Sequence, residues 1–259
     1  VYRASTIFAG AEPYIMPLVA ENDFLPDLDA IPADVRKRAR LMFINYPNNP
    51  TSACATAEFF TKAVAFAKAN DLVIAQDAAY TELYFEEAPL SILQTPGAAE
   101  VAIELHSFSK TFNMTGWRLG WACGNAEIVG SLQKLKSNLD SGIFTAIQKA
   151  GVAALKGYDR PEVADLRAMY RERRDALVKG LRSVGLEPNV PNATFYVWVK
   201  CPGGKNSLEM VGLLLEKCDI VATPGVGFGK YGDGYFRFAL TQDTDRIAEA
   251  IERIRKLGL

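Results

Sequence analysis

Histidine is nearly missing from this 259-residue chain, which holds one, His106. One imidazole gives poor support to a multi-histidine metal centre or a serine–histidine nucleophile, so His106 is expected as a packed or hydrogen-bonded strand-end residue. An excess of charge is missing too. With 29 Lys and Arg against 30 Asp and Glu, the formal net charge is -1, which argues against nucleic acid or an anionic membrane as an obligatory partner. No hydrophobic run reaches the length of a membrane span, and no secretory pattern stands at residue 1. The four cysteines, Cys54, Cys123, Cys201 and Cys218, lack metal or redox spacing. Reduced thiols in the cytoplasm are the expectation. Repeats, low-complexity tracts and disordered linkers are absent as well.

What is present is 49% hydrophobic content, enough for one sizeable core or for a core with a smaller domain. Leu41-Met42-Phe43-Ile44 reads as a buried strand that ends in the turn-forming Asn45-Tyr46-Pro47-Asn48-Asn49-Pro50. Thr56 is a predicted helix N-cap, followed by Phe60, Ala63, Val64 and Ala67 at helical spacing. Further strands are predicted at Leu72–Ala75, Val101–Leu105 and Leu119–Cys123. Strands separated by helical stretches predict an α/β fold with a doubly wound, mostly parallel sheet. Beyond Thr145 the pattern changes. Helices are predicted at Thr145–Leu155 and from Pro161 to about Val184, then a smaller α+β unit. In that unit Thr194–Val199, Ile220–Thr223 and Tyr235–Leu240 read as strands, and Ser207–Cys218 as a helix. A final helix places Ile247, Ile251 and Ile254 on one face. The boundary is set near Gly157, giving a large domain over 1–157 and a small C-terminal domain over 158–259.

Open α/β sheets bind ligands beyond the carboxyl ends of their strands. Asn49, Asp77, Ser107 and Lys110 each follow a predicted strand, so separate apolar runs deliver polar groups to one edge. The set matches the needs of pyridoxal phosphate. Lys110, in Ser107-Phe108-Ser109-Lys110-Thr111, is an amine for the cofactor aldehyde, able to form a Schiff base and then shuttle a proton. Asp77 supplies an anion for the ring nitrogen. Asn49 and Tyr80 can donate to the phenolic oxygen, although turn geometry would also explain the asparagine and packing the tyrosine. Ser107, Ser109 and Arg118 suit the phosphate. Arg237 sits among aromatics in Tyr235-Phe236-Arg237-Phe238-Ala239 and suits a substrate carboxylate, which Asn49 can also contact. The loop Pro224-Gly225-Val226-Gly227-Phe228-Gly229 lacks the βαβ context of a dinucleotide site and reads as a turn shaping the substrate entrance.

On these residues the chain resembles the class I/II aminotransferases of the fold-type-I pyridoxal phosphate superfamily, along essentially its whole length. The resemblance implies Lys110 as the Schiff-base lysine, Asp77 as the pyridinium partner, and Asn49 and Tyr80 as phenolate ligands. It implies a phosphate site of Ser107, Ser109 and Arg118, with Arg237 on the α-carboxylate. His106 to Arg118, Asp140-Ser141-Gly142-Ile143-Phe144, Ala193 to Trp198 and Thr223 to Arg237 are similar to the branch of that family acting on LL-diaminopimelate. That likeness implies amino-group exchange between an amino acid and a 2-oxo acid in lysine biosynthesis, by a homodimer with sites at its interface. Aspartate, alanine or aromatic substrates stay open. So do a carbon–sulfur β-lyase on the same scaffold, and a non-catalytic protein that keeps the fold.

Two departures from the family pattern stand out. Ser52 follows Thr51 where the family has glycine, and is expected to cap the next helix with little effect. Before Asn49 the only glycine is Gly10, and the chain opens on Val1-Tyr2-Arg3. The family's phosphate-binding turn, its ring-stacking aromatic and a tyrosine lent across the dimer are therefore expected upstream, making this an N-terminally truncated piece with exposed core surface.

Overall fold

Two hydrophobic cores organise the computed structural model, which describes residues 1–258. The chain opens with helix α1 (Tyr2–Phe8) and, after a long irregular stretch, helix α2 (Ala33–Arg38). Strand β1 (Leu41–Asn45) then enters the first core, with Met42 and Ile44 buried. Helix α3 (Ala57–Ala69) begins where Thr56 accepts the backbone N–H of Phe59, the expected cap. It buries Phe59, Phe60, Ala63, Val64 and Ala67 against the sheet, one face of a 3.6-residue period. Strands β2 (Val73–Asp77) and β3 (Ala102–Ser107) complete a parallel trio with β1.

The next strand turns back. Between Ser107 and Gly120 lies only the four-residue helix α4 (Phe108–Thr111) and a short turn, too little for a parallel crossover. Strand β4 (Gly120–Gly124) therefore runs antiparallel to β3, and the sheet order is β1-β2-β3-β4. Helices α5 (Ala126–Leu139) and α6 (Thr145–Lys156) follow, leaving Leu132, Leu135, Leu139, Phe144, Val152 and Leu155 exposed. Among the described residues no helix is long and apolar enough to cross a membrane.

The second core begins with the long helix α7 (Pro161–Ser183). A three-stranded antiparallel sheet, order β5-β7-β6, is formed by β5 (Tyr196–Lys200), β6 (Thr223–Pro224) and β7 (Tyr235–Ala239). Helix α8 (Ser207–Cys218) is interposed between β5 and β6, and α9 (Thr244–Leu257) closes the unit. Leu181, Leu214, Phe236 and Ile254 are buried there, with the expected Ile247 and Ile251 of α9.

Boundaries differ from expectation in several places: β3 runs on through Ser107, which ends that strand instead of following it, and three more have reasons visible in the structure. Pairing of Asn45 with Asp77 carries β2 through Asp77, so the aspartate ends the strand instead of following it. Thr194 has φ +74°, a left-handed backbone that a strand cannot contain, and β5 starts only at Tyr196. Ile220 donates its N–H back to Leu214 of α8, and the third strand of that sheet shrinks to Thr223–Pro224.

The two cores are stitched together. Phe85 donates its N–H to the carbonyl of Asn192 and packs in the second core. Thr194 donates to the Leu83 carbonyl, and the Asn192 side chain accepts from the N–H groups of Glu86 and Glu87. The segment that follows β2 is thus held against the entry to β5.

Candidate active site

Parallel pairing brings the ends of β1, β2 and β3 to one edge, with Asn45 level with Asp77 and Asp77 level with Leu105. Asn45 links them. Its Nδ2 donates to the Asp77 carbonyl (2.9 Å) and its Oδ1 accepts the N–H of Asn49 (2.9 Å), so one buried side chain seats the Asn49 turn on the Asp77 strand. The Asn48 side chain pins the same turn by accepting from the N–H and the hydroxyl of Thr51. Neither role was legible from sequence; a polar residue closing an apolar strand was the available signal.

Asp77 has an unforeseen partner as well. The Tyr2 hydroxyl donates to Asp77 Oδ2 at 2.6 Å, while the Tyr2 ring stacks on Phe43 with centroids 5.2 Å apart. The other carboxylate oxygen accepts the N–H of Ala79. Burial, reinforced by the Asp77 charge, raises the Tyr2 phenol well above its ordinary value and keeps it a donor.

Ser107 and Ser109 open α4, where Ser107 Oγ accepts the N–H of Ser109 (3.1 Å) and can still donate its own proton. Lys110 follows one residue on. Its Nζ lies 5.4 Å from the Phe195 ring centroid and 5.9 Å from that of Tyr80. Burial lowers its pKa, the positive Arg118 lowers it further, and Asp77 works in the opposite direction. Arg118 itself is exposed, with a left-handed backbone (φ +54°), and donates Nη1 to the Thr115 carbonyl.

The opposite wall is aromatic and comes from the segment after β2 and the start of β5. Tyr80, Phe195 and Tyr196 pack together, with Phe195 and Tyr196 centroids 4.5 Å apart. Burial raises the Tyr80 phenol, and its nearest hydroxyl partner is Tyr196 at 3.4 Å. Arg237 lies between rings: its Cζ is 3.9 Å from the Tyr196 centroid and 4.8 Å from that of Phe228. It donates Nη1 to Asn49 Oδ1 (2.6 Å) and Nη2 to Thr223 Oγ1 (3.3 Å). Its Nε is buried without a partner among the described residues, an unmet donor on a planar cation. Burial lowers its pKa, against the opposing pull of Tyr196 and Tyr80.

The structure therefore gathers Asn49, Asp77, Tyr80, Ser107, Ser109, Lys110, Arg118 and Arg237 around one strand edge and the wall facing it. Phe195, Tyr196, Phe228, Thr223, Asn45 and Tyr2 join them. The glycine-rich loop brings Phe228 to Arg237, and its fold depends on Gly225. A Cβ there would lie 1.9 Å from the Gly232 carbonyl oxygen and 2.5 Å from that of Tyr235. Gly225→Ala is expected to lower stability by about 1–3 kcal/mol by displacing that loop, measurable by urea unfolding.

Two other features lie apart from this constellation. An apolar groove between β4 and α6, lined by Phe108, Leu119, Trp121 and Val152, contains none of its polar groups. On the sheet face, His106 Nε2 pairs with Glu104 Oε2 at 2.9 Å and its ring stacks on Trp121, the packed role expected of it.

A carboxylate at a strand end, an amine over aromatic rings and an arginine between two rings thus lie around one aromatic cluster. Residues 2–254 match the model of the class I and II aminotransferases, and the chain belongs to that family. It is 57% identical over 259 residues to LL-diaminopimelate aminotransferase of Syntrophobacter fumaroxidans, and 53% identical to that of Moorella thermoacetica. These matches cover 100% and 99% of this chain, which spans 66% of the length of either relative. Among solved structures, apo BacF from Bacillus subtilis superposes with a TM-score of 0.94 at 39% identity, covering 100% of this chain and 66% of that one. A probable N-succinyldiaminopimelate aminotransferase from Thermus thermophilus gives 0.91 at 35% identity, covering 98% and 68%.

Proposed function

We propose that this chain carries the cofactor and substrate groups of a pyridoxal 5'-phosphate-dependent aminotransferase that moves an amino group between an amino acid and a 2-oxo acid, LL-diaminopimelate and 2-oxoglutarate by preference. The observation that carries this reading is that Lys110 and Arg237 border one aromatic cluster, the lysine over the Tyr80 and Phe195 rings and the arginine over Tyr196 with its Nε buried and unmet among the described residues. The substrate preference is supported by the names of the relatives that are 57% and 53% identical.

The residues fit the cofactor. Lys110 offers an amine that no group among the described residues claims by a hydrogen bond, Asp77 an anion held by Tyr2, and Ser107, Ser109 and Arg118 two hydroxyls and a cation. Bound there, the cofactor would supply an electron-withdrawing ring that stabilises negative charge on the substrate carbon. Asp77 would keep a proton on the ring nitrogen, and Asn49 and Tyr80 would donate to the phenolic oxygen. Arg237 would hold the substrate carboxylate by a planar fork, with Tyr196 and Phe228 excluding water from the guanidinium faces. Lys110 Nζ would take the proton from substrate carbon and return it to the other side of the transfer, as base and then acid.

The division into residues 1–157 and 158–259 is supported by the two buried clusters, although Phe85 belongs to the second. A homodimer is supported by the uncovered apolar residues of α5 and α6. A cytoplasmic setting is supported by four unpaired thiols.

Borohydride reduction with pyridoxal phosphate, then peptide mapping, tests the reading; a label spread over surface lysines would overturn it. An amino-acceptor assay separates transfer from β-elimination, which would release ammonia and pyruvate. The pH dependence has a definite sign. A lysine whose folded pKa is lowered loses its proton at lower pH than a solvated one, so labelling of Lys110 should rise ahead of the exposed lysines as pH increases. For the same reason its contribution to stability should increase as pH climbs through that lowered value and level off above the unfolded one.

A further inference from the structure

Ser52 does not cap the following helix; Thr56 does. The Ser52 side chain instead crosses to the second sheet, where its Oγ lies 2.8 Å from the Tyr196 carbonyl oxygen and 2.8 Å from Thr194 Oγ1. The proton order follows from the partners. A carbonyl only accepts, so the Ser52 hydroxyl donates to Tyr196, and Ser52 Oγ must then accept from the Thr194 hydroxyl. Thr194 Oγ1 accepts in turn from the N–H of Tyr196 (3.1 Å). A closed ring results, running from Tyr196 N–H through Thr194 and Ser52 to the Tyr196 carbonyl.

Both hydroxyl residues have backbones that side chains seldom adopt, φ +63° at Ser52 and +74° at Thr194, and both are buried at 5% and 0% exposure. The ring offsets that strain while satisfying each buried hydroxyl, and hydrogen bonds in such a closed chain strengthen one another. It also joins the two surfaces that confine Arg237. Ser52 stands in the turn that presents Asn49, the acceptor of Arg237 Nη1, and Tyr196 is the ring beneath the guanidinium. The turn is locked on its other side by Asn48, which accepts the N–H of Ser52 at its carbonyl.

We propose that Ser52 and Thr194 form a clasp between the two sheets that positions Arg237 for a carboxylate, making both of them positioning residues. The proposal rests on the reading of Arg237 as the carboxylate clamp. Glycine at position 52 would suit φ +63° yet leave Asn49 and Tyr196 unlinked.

The test measures binding of 2-oxoglutarate to the cofactor-free chain by calorimetry, beside KM and kcat with cofactor. Ser52→Gly, which removes the hydroxyl and both of its hydrogen bonds without backbone strain, should weaken binding and raise KM by about tenfold, with kcat changed far less. Thr194→Val, which keeps the branched shape, should do the same, and Thr194→Ser should restore normal binding. Unchanged affinity in both ring-breaking variants would overturn the clasp. So would a fall in melting temperature with KM and kcat shifting together, the signature of a purely structural role. Arg237→Lys is the control. If it too leaves 2-oxoglutarate binding unchanged, the carboxylate-clamp reading fails; if it weakens binding while Ser52→Gly does not, only the clasp fails.

Discussion

Lys110→Ala abolishes covalent retention of pyridoxal phosphate and lowers any transfer rate by on the order of 10²–10⁴, the range for loss of a positioned proton-transfer group. Two features of the lysine lead to this expectation. Its Nζ projects over Tyr80 and Phe195 without a hydrogen-bond partner among the described residues, and burial together with Arg118 disfavours its charged form. A lysine in that setting is a better nucleophile at neutral pH than a solvated one. The measurement is borohydride trapping with mass spectrometry of the tryptic peptide containing residues 107–118. Trapping in the alanine variant equal to wild type would remove Lys110 from its role. Lys110→Arg should behave as the alanine variant does for trapping, since guanidinium keeps the charge but cannot supply a free amine.

Arg237→Ala raises KM for carboxylate substrates by roughly 10²-fold and leaves kcat within a few-fold. A charge-assisted hydrogen bond contributes about 1.5–3 kcal/mol, and a factor of ten corresponds to about 1.4 kcal/mol. Because the contact is made in the ground state as well as the transition state, its loss appears mainly in KM. Arg237→Lys should recover little. An ammonium keeps charge but cannot reproduce the planar group that lies between Tyr196 and Phe228 while donating to Asn49 and Thr223. Steady-state kinetics with 2-oxoglutarate varied would show the split. A fall in kcat at unchanged KM would place Arg237 outside the carboxylate site.

Much of the fold was legible because its signals are short-range. Thr56 with its helical apolar face, the long charged helix starting at Pro161, and Ile247, Ile251 and Ile254 on one face of the last helix are patterns within a single element. The errors at element ends had other origins. A left-handed Thr194 cut the front from a predicted strand, and pairing with β1 extended β2 through Asp77. No propensity reports either, since one is a backbone dihedral and the other depends on a neighbouring strand.

The eight site residues of the sequence reading were named from residue types at strand ends and from family resemblance, and the structure gathers them at one edge and its facing wall. What the reading missed spans long separations. Tyr2 reaches Asp77 across 75 residues, Ser52 reaches Tyr196 across 144, and Asn49 meets Arg237 across 188. Ser52 is the instructive case, because its local chemistry as a capping residue pointed the wrong way.

The sequence by itself determined the class of fold, most of its strands and the helices after residue 145. It placed amine, carboxylate and hydroxyl side chains near strand ends, while the helices Tyr2–Phe8, Ala33–Arg38 and Ala126–Leu139 went unread. The features it determined depend on hydrophobic period and side-chain type, which are properties of neighbours in the chain. Only the tertiary structure decided that β4 reverses, that Tyr2 steadies Asp77, that Lys110 faces an aromatic wall and that Ser52 and Thr194 join the sheets around Arg237. Each of these depends on hydrogen bonds or ring contacts between segments far apart in sequence, and such contacts exist only once both cores have packed.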